Sequence, residues 1–201
     1  MSTTFDVFPR SDRLPAFSDL LSRASEHLSA FLREVHVTAS PRISVQLHQV
    51  KPDRVLPLDL SSPAKWTMEQ YAWFIVPPAK GGTDAYFRRA VNYWCDEDIA
   101  INPRRAEVAD SFRQYGYRWS FRRSASQPAA VNVAYGLIAA TLAELTGGLI
   151  DSSDGAWDKA RLPAAADDFF TWYMRPELAL EADYATWAAR CIAGLRTEFG
   201  V

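Results

Sequence analysis

The stretch GYRWSFRRSASQPAAVNVAYGLIAATLAELTGGLIDSS, Gly116–Ser153, changes its hydrophobic period twice, and those changes decide the fold class. Tyr117, Trp119 and Phe121 alternate with Arg118, Ser120 and Arg122, which predicts a strand with one aromatic and one basic face. From Pro128 to Leu145 the spacing becomes three and four. Val133, Ala134, Leu137, Ile138, Thr141, Leu142 and Leu145 then form a wide apolar helical stripe. Gly147 or Gly148 can take the left-handed conformation that ends a helix, and a short strand begins at Leu149. Strand, helix and strand in succession are compatible with a parallel crossover.

On the N-terminal side of this unit, Phe17, Leu20, Leu21, Ala24, Leu28, Phe31, Leu32 and Val35 predict an amphipathic helix over residues 14–35. RISVQLHQV alternates Ile43, Val45 and Leu47 with Ser44, Gln46 and His48, a strand with one face buried. YAWFIVPP is continuously apolar and closed by prolines, so it reads as a central strand buried on both faces. AKGG makes a turn. TDAYFRRAVNYWC returns to helical spacing through Tyr86, Phe87, Ala90, Val91 and Trp94, with Thr83 or Asp84 as the cap. Asp96 to Gln114 carries no clear period. Towards the C-terminus, AAADDFFTWYMR predicts a helix started by Pro163. Leu180, Tyr184, Trp187, Cys191, Ile192, Leu195 and Phe199 predict another.

These elements predict one α+β domain over residues 1–201. Its central sheet is mainly antiparallel or mixed and is packed by amphipathic helices near 14–35, 128–146 and 181–198. A chain of 201 residues with 48% hydrophobic content can bury the core this requires. The 22 basic and 24 acidic residues leave a net charge of -2, so no global field favours nucleic acid or an anionic membrane. No stretch approaches the apolar length of a membrane span, and MSTTFDVFPRSDRLPAF lacks the layout of a signal peptide. Cys95 and Cys191 lie far apart in apolar surroundings, which suits reduced thiols and a cytoplasmic location.

The candidate chemistry is sparse. TGGLIDSSDGAWD gathers Asp151, Ser152, Ser153, Asp154, Trp157 and Asp158 just beyond a strand, where α/β layouts commonly place ligands. A calcium loop requires alternating ligands and a distant glutamate, and this stretch has neither. Asp154 and Gly155 fit a turn with Trp157 packed over it. Cys95 stands beside Asp96, Glu97 and Asp98, but consecutive carboxylates point in different directions on any regular element. His27, His36 and His48 share no metal-binding spacing and read as surface residues. No nucleophile elbow or phosphate loop is present, so no catalytic, metal or cofactor residue is assigned. The alternation sends Tyr117, Trp119 and Phe121 to the core and leaves the arginines to pair with carboxylates rather than clamp nucleic acid.

Leu142–Glu177 carries Gly148, Ser153, Asp154, Gly155, Ala156, Trp157, Pro163, Phe169, Trp172, Tyr173, Arg175, Pro176 and Glu177. Through these residues it resembles the C-terminal part of small uncharacterised bacterial α+β proteins grouped with toxin-immunity families. The resemblance covers less than a fifth of the chain. It implies a cytosolic protein that binds and blocks a cognate toxin or effector, and it brings no catalytic residues to transfer. The expectation is therefore partner binding, with Asp151, Asp154 and Trp157 as a candidate contact surface. The alternatives are an enzyme using the carboxylates of Asp96–Asp98 or Asp151–Asp158, and a structural component of a larger assembly.

Overall fold

The alternation around Trp119 forms strand β6 (Tyr117–Arg123) in the computed structural model of the chain, which describes residues 3–90, 99, 102–124, 126–152, 154 and 158–200. Around it the described residues build one sheet from β1 (Thr3–Phe8), β2 (Ser44–Gln49), β3 (Arg54–Leu56), β4 (Gln70–Ile75), β5 (Gly82–Arg89), β6, β7 (Leu149–Asp151) and β8 (Ala164–Ala165). The order is β3-β2-β4-β5-β6-β1-β7-β8, and every neighbouring pair is antiparallel. The α-helices with bounds among the described residues are α1 (Phe17–Glu34), α2 (Pro103–Tyr115), α3 (Ala129–Thr146), α4 (Ala166–Trp172) and α5 (Ala182–Glu198). The fold is a single α+β domain.

β6 and β7 run in the same direction, as a crossover through α3 requires, yet they are not neighbours. β1 lies between them and is antiparallel to both. Its Thr3, Phe5 and Val7 alternate with Thr4, Asp6 and Phe8, so a short N-terminal segment supplies a central strand.

Helix α3 is more deeply placed than an amphipathic stripe implies. Every residue from Ala129 to Ala143 is buried, because the sheet lies on one side and α1, α4 and α5 close the others. Among the described residues it is the one helix apolar and long enough to match a membrane span, and 83% of that window is buried inside the protein. Gly136 makes this packing possible: a Cβ there would lie 2.3 Å from Cζ of Tyr173. The Tyr173 hydroxyl donates to the Asn132 carbonyl at 3.0 Å, so the ring is held across the helix. Gly147 ends α3 at φ 58°, the left-handed stop expected at this position.

Two expectations are corrected. Residues 83–89 are strand β5 and not a helix. Thr83, Ala85 and Phe87 face the core, while pairing with β4 and β6 supplies backbone hydrogen bonds along both edges. Thr83 donates its hydroxyl to the Arg122 carbonyl at 2.8 Å and caps no helix. The Val91–Cys95 end of that predicted helix lies outside the described residues. β4 is central in the sheet but buried on one face only: Ala72, Phe74 and Val76 are buried, while Tyr71, Trp73 and Ile75 keep partial exposure.

Within the region that lacks a clear period, Pro103–Tyr115 form helix α2. Its ends are well marked, since Asn102 accepts from the Arg104 amide at 3.0 Å, Pro103 opens the first turn and Gly116 closes it at φ 69°. Val108 of α2 packs with Phe8, Ala90 and Leu149, which closes one end of the sheet face opposite α3.

Candidate functional site

The cluster of aspartates after β7 divides into three separate duties. Asp151 is 1% exposed, and the β1–β7 register sets it opposite Asp6. Asp6 accepts a hydrogen bond from the Ser120 hydroxyl and lies 3.3 Å from Nε of Arg118. Asp154 is exposed. Its Oδ1 accepts from the Thr4 amide at 3.1 Å and the Ser152 hydroxyl at 3.0 Å, which fastens the start of β1. Asp158 is fully buried at φ 55°, where its carboxylate accepts from the amides of Leu180 and Glu181 and pairs with Arg161 at 3.3 Å. It therefore holds the segment that leads into α5. Trp157 lies outside the described residues, as do Cys95 and the Asp96–Asp98 carboxylates.

Of the three histidines expected at the surface, His27 and His48 are partly buried and His36 is exposed. His27 stacks on Phe170 with centroids 4.2 Å apart and its Nε2 lies 2.8 Å from Glu144, which Arg23 also grips at 2.7 Å. Burial alone would raise the Glu144 carboxyl, but the hydrogen bonds from Arg23 and His27 outweigh it and hold the group below its ordinary value. This triad ties α1 to α3. His36 is exposed and takes a positive φ of 63° just past α1. Among the described residues no group of three or more His, Cys, Asp or Glu is arranged to hold a metal ion.

The feature with binding character is the sheet face opposite α3, across β2, β4, β5 and β6. The strand registers align His48, Tyr71, Tyr86, Ser120, Asp6 and Asp151 in one row across the sheet. The row changes character along its length. Its Asp6–Asp151 end is buried, whereas His48, Tyr71 and Tyr86 are partly exposed and follow in series, His48 stacked on Tyr71 at 4.8 Å and Tyr71 tilted against Tyr86 at 5.8 Å. Arg88 extends the stack, its guanidinium 4.8 Å from the Tyr86 centroid. A second row carries Gln46, Trp73, Asp84 and Arg122, and the last two form an ion pair at 3.3 Å.

Burial, followed by the Asp84 hydrogen bond, pushes the Tyr86 phenol up to about 12. Burial and the nearby Asp53 carboxylate raise Tyr71 as well. Both hydroxyls therefore remain protonated donors at neutral pH. Val50, Val55 and Met68 stand exposed beside the stack. Aromatic rings, an arginine and partly exposed aliphatic groups on one rigid sheet are the residue types that anchor protein interfaces.

The pairing expected of the β6 arginines holds for Arg118 with Asp6 and Arg122 with Asp84. Arg123 has the parity of Phe121 and enters the core instead. It is 5% exposed, bonds Thr3 and Asn132, and packs 5.1 Å from the Trp187 centroid. Tyr71, Trp73 and Tyr86 were not among the residues that sequence reasoning picked out. The signal was present in the β4 alternation of Ala72, Phe74 and Val76 with Tyr71, Trp73 and Ile75.

No protein-family model matches the chain, nor does any curated protein or solved structure.

Proposed function

We propose that this chain is a partner-binding protein: a bacterial, cytoplasmic inhibitor of the immunity type that neutralises a cognate toxin or effector. The observation that carries the binding role is the partly exposed row His48–Tyr71–Tyr86–Arg88 with Trp73 beside it, set on strands whose other face is locked into the core. Inhibition by occlusion requires such a rigid, pre-formed surface and no catalytic group, because pre-organisation limits the ordering cost on binding. The C-terminal resemblance supplies the toxin-directed form of the reading. Cys191, a free and buried thiol, suits a reducing compartment.

The test begins with capture of partners by the tagged chain from the organism that encodes it, followed by stoichiometry on a sizing column. The expected result is one stoichiometric protein whose toxic activity is abolished on mixing, with capture lost in Trp73→Ala. A partner that keeps its activity in the complex, or that binds Trp73→Ala undiminished, would contradict the reading.

A further inference from the structure

We infer that the groove at the end of β5, bounded by Val50, Met68, Tyr86, Arg88, Arg89 and Arg118, receives an acidic segment of a polypeptide partner that carries an apolar side chain among its carboxylates. This inference rests on the reading of the open sheet face as a contact surface and adds the chemistry of its partner. The groove has a volume of about 440 Å³. Its charges are unbalanced. Arg118 is paired with Asp6, and the neighbouring Arg122 is paired with Asp84. Arg88 and Arg89 are exposed, and neither forms an ion pair among the described residues; the Arg88 guanidinium lies 4.8 Å from the Tyr86 centroid. Among the described residues no carboxylate lines the groove.

Arg88 lies on the open face opposite Arg118, and Arg89, of the other strand parity, borders the same groove at the end of β5; neither is neutralised by an ion pair among the described residues, and guanidinium groups match carboxylates in geometry. The apolar wall sets the rest of the ligand. Val50 and Met68 are 40% and 54% exposed, and a thioether is well suited to an adaptable apolar contact. A nucleic acid is the poorer fit. The face of Tyr86 that would stack a base is already occupied by Arg88, and the free wall is aliphatic rather than flat.

The experiment selects a phage library of random dodecapeptides on the intact chain and measures the winners by fluorescence anisotropy. The expected winners carry several Asp or Glu residues next to Leu, Phe or Trp. Their affinity falls about tenfold or more in Arg88→Glu/Arg89→Glu, and less in Arg88→Ala/Arg89→Ala. It also weakens as salt rises from about 0.05 M to about 0.3 M, as screening requires. Thermal melting confirms that each variant is folded. Winners without net negative charge, or winners indifferent to charge reversal, overturn the acidic groove. If those winners still lose affinity in Trp73→Ala, the open-face reading stands and only the groove's chemistry falls. Winners indifferent to both the arginine and the Trp73 variants remove both. Tighter, salt-sensitive retention of a thymidine oligonucleotide than of any selected peptide assigns the groove to nucleic acid and overturns the proposal.

Discussion

The two faces of β4, β5 and β6 use the same backbone for opposite purposes. Towards α3, Phe74, Ala85, Phe87, Trp119 and Phe121 are buried and merge with the helices into one continuous apolar cluster. On the other side, one residue along each strand, Tyr71, Trp73, Tyr86 and Arg122 keep solvent contact; the Tyr71 and Tyr86 rings lie together and Arg122 pairs with Asp84. The strand period of two separates stability from recognition within a few ångströms of backbone. Substitutions on the α3 side are therefore expected to act on folding, and those on the open side on binding.

The largest expected effect lies at the core. Phe121→Ala removes a ring with no solvent exposure and should cost about 3–5 kcal/mol, read as a lower midpoint in urea unfolding. A midpoint unchanged by this substitution would break the distinction between the faces. Asp158→Ala comes next, because it strips the amides of Leu180 and Glu181 and the Arg161 guanidinium of a buried acceptor. The expected cost is about 1.5–3 kcal/mol. Gly136→Ala tests packing against helix propensity. In an open helix the change would stabilise by up to about 1 kcal/mol. Here the clash with Tyr173 should reverse the sign and destabilise by about 1–3 kcal/mol. On the open face, Trp73→Ala should alter stability by about 1 kcal/mol or less while abolishing partner capture.

Much of the α3 side was legible from local periodicity. α1, α3, α5 and the β6 alternation each repeat over enough residues for the pattern to identify its element. β5 misled because Tyr86, Phe87, Ala90 and Val91 satisfy helical spacing, while Thr83, Ala85 and Phe87 satisfy the strand period equally well. What decided between them was pairing with β4 and β6, contacts distant in sequence. The place of β1 between β6 and β7 is likewise non-local. The open face is non-local for the same reason: it exists only where β4 and β5 lie side by side, and the local patterns of the two segments imply a doubly buried strand and a helix. Asp151 and Asp154 are close in sequence, but that proximity does not show that Asp151 is buried in the sheet, away from any contact surface, while Asp154 fastens β1.

The smallest expected effect is on pH dependence. Glu144 is held below its ordinary value in the folded state, so its contribution is present above the unfolded carboxyl pKa and is lost as pH falls through the folded one. Stability should therefore decline with acid below the ordinary carboxyl value of 4.5, and Glu144→Gln should flatten that part of the curve in urea titrations.

The most direct test of the open face places a photocrosslinking amino acid at Trp73 in one version of the chain and at Ala189, exposed on α5, in another. Both are irradiated in the cells that encode the protein. The account predicts a discrete adduct to a single partner from position 73 and none from position 189. An adduct from position 189 with none from position 73 would move recognition to the helices and contradict it.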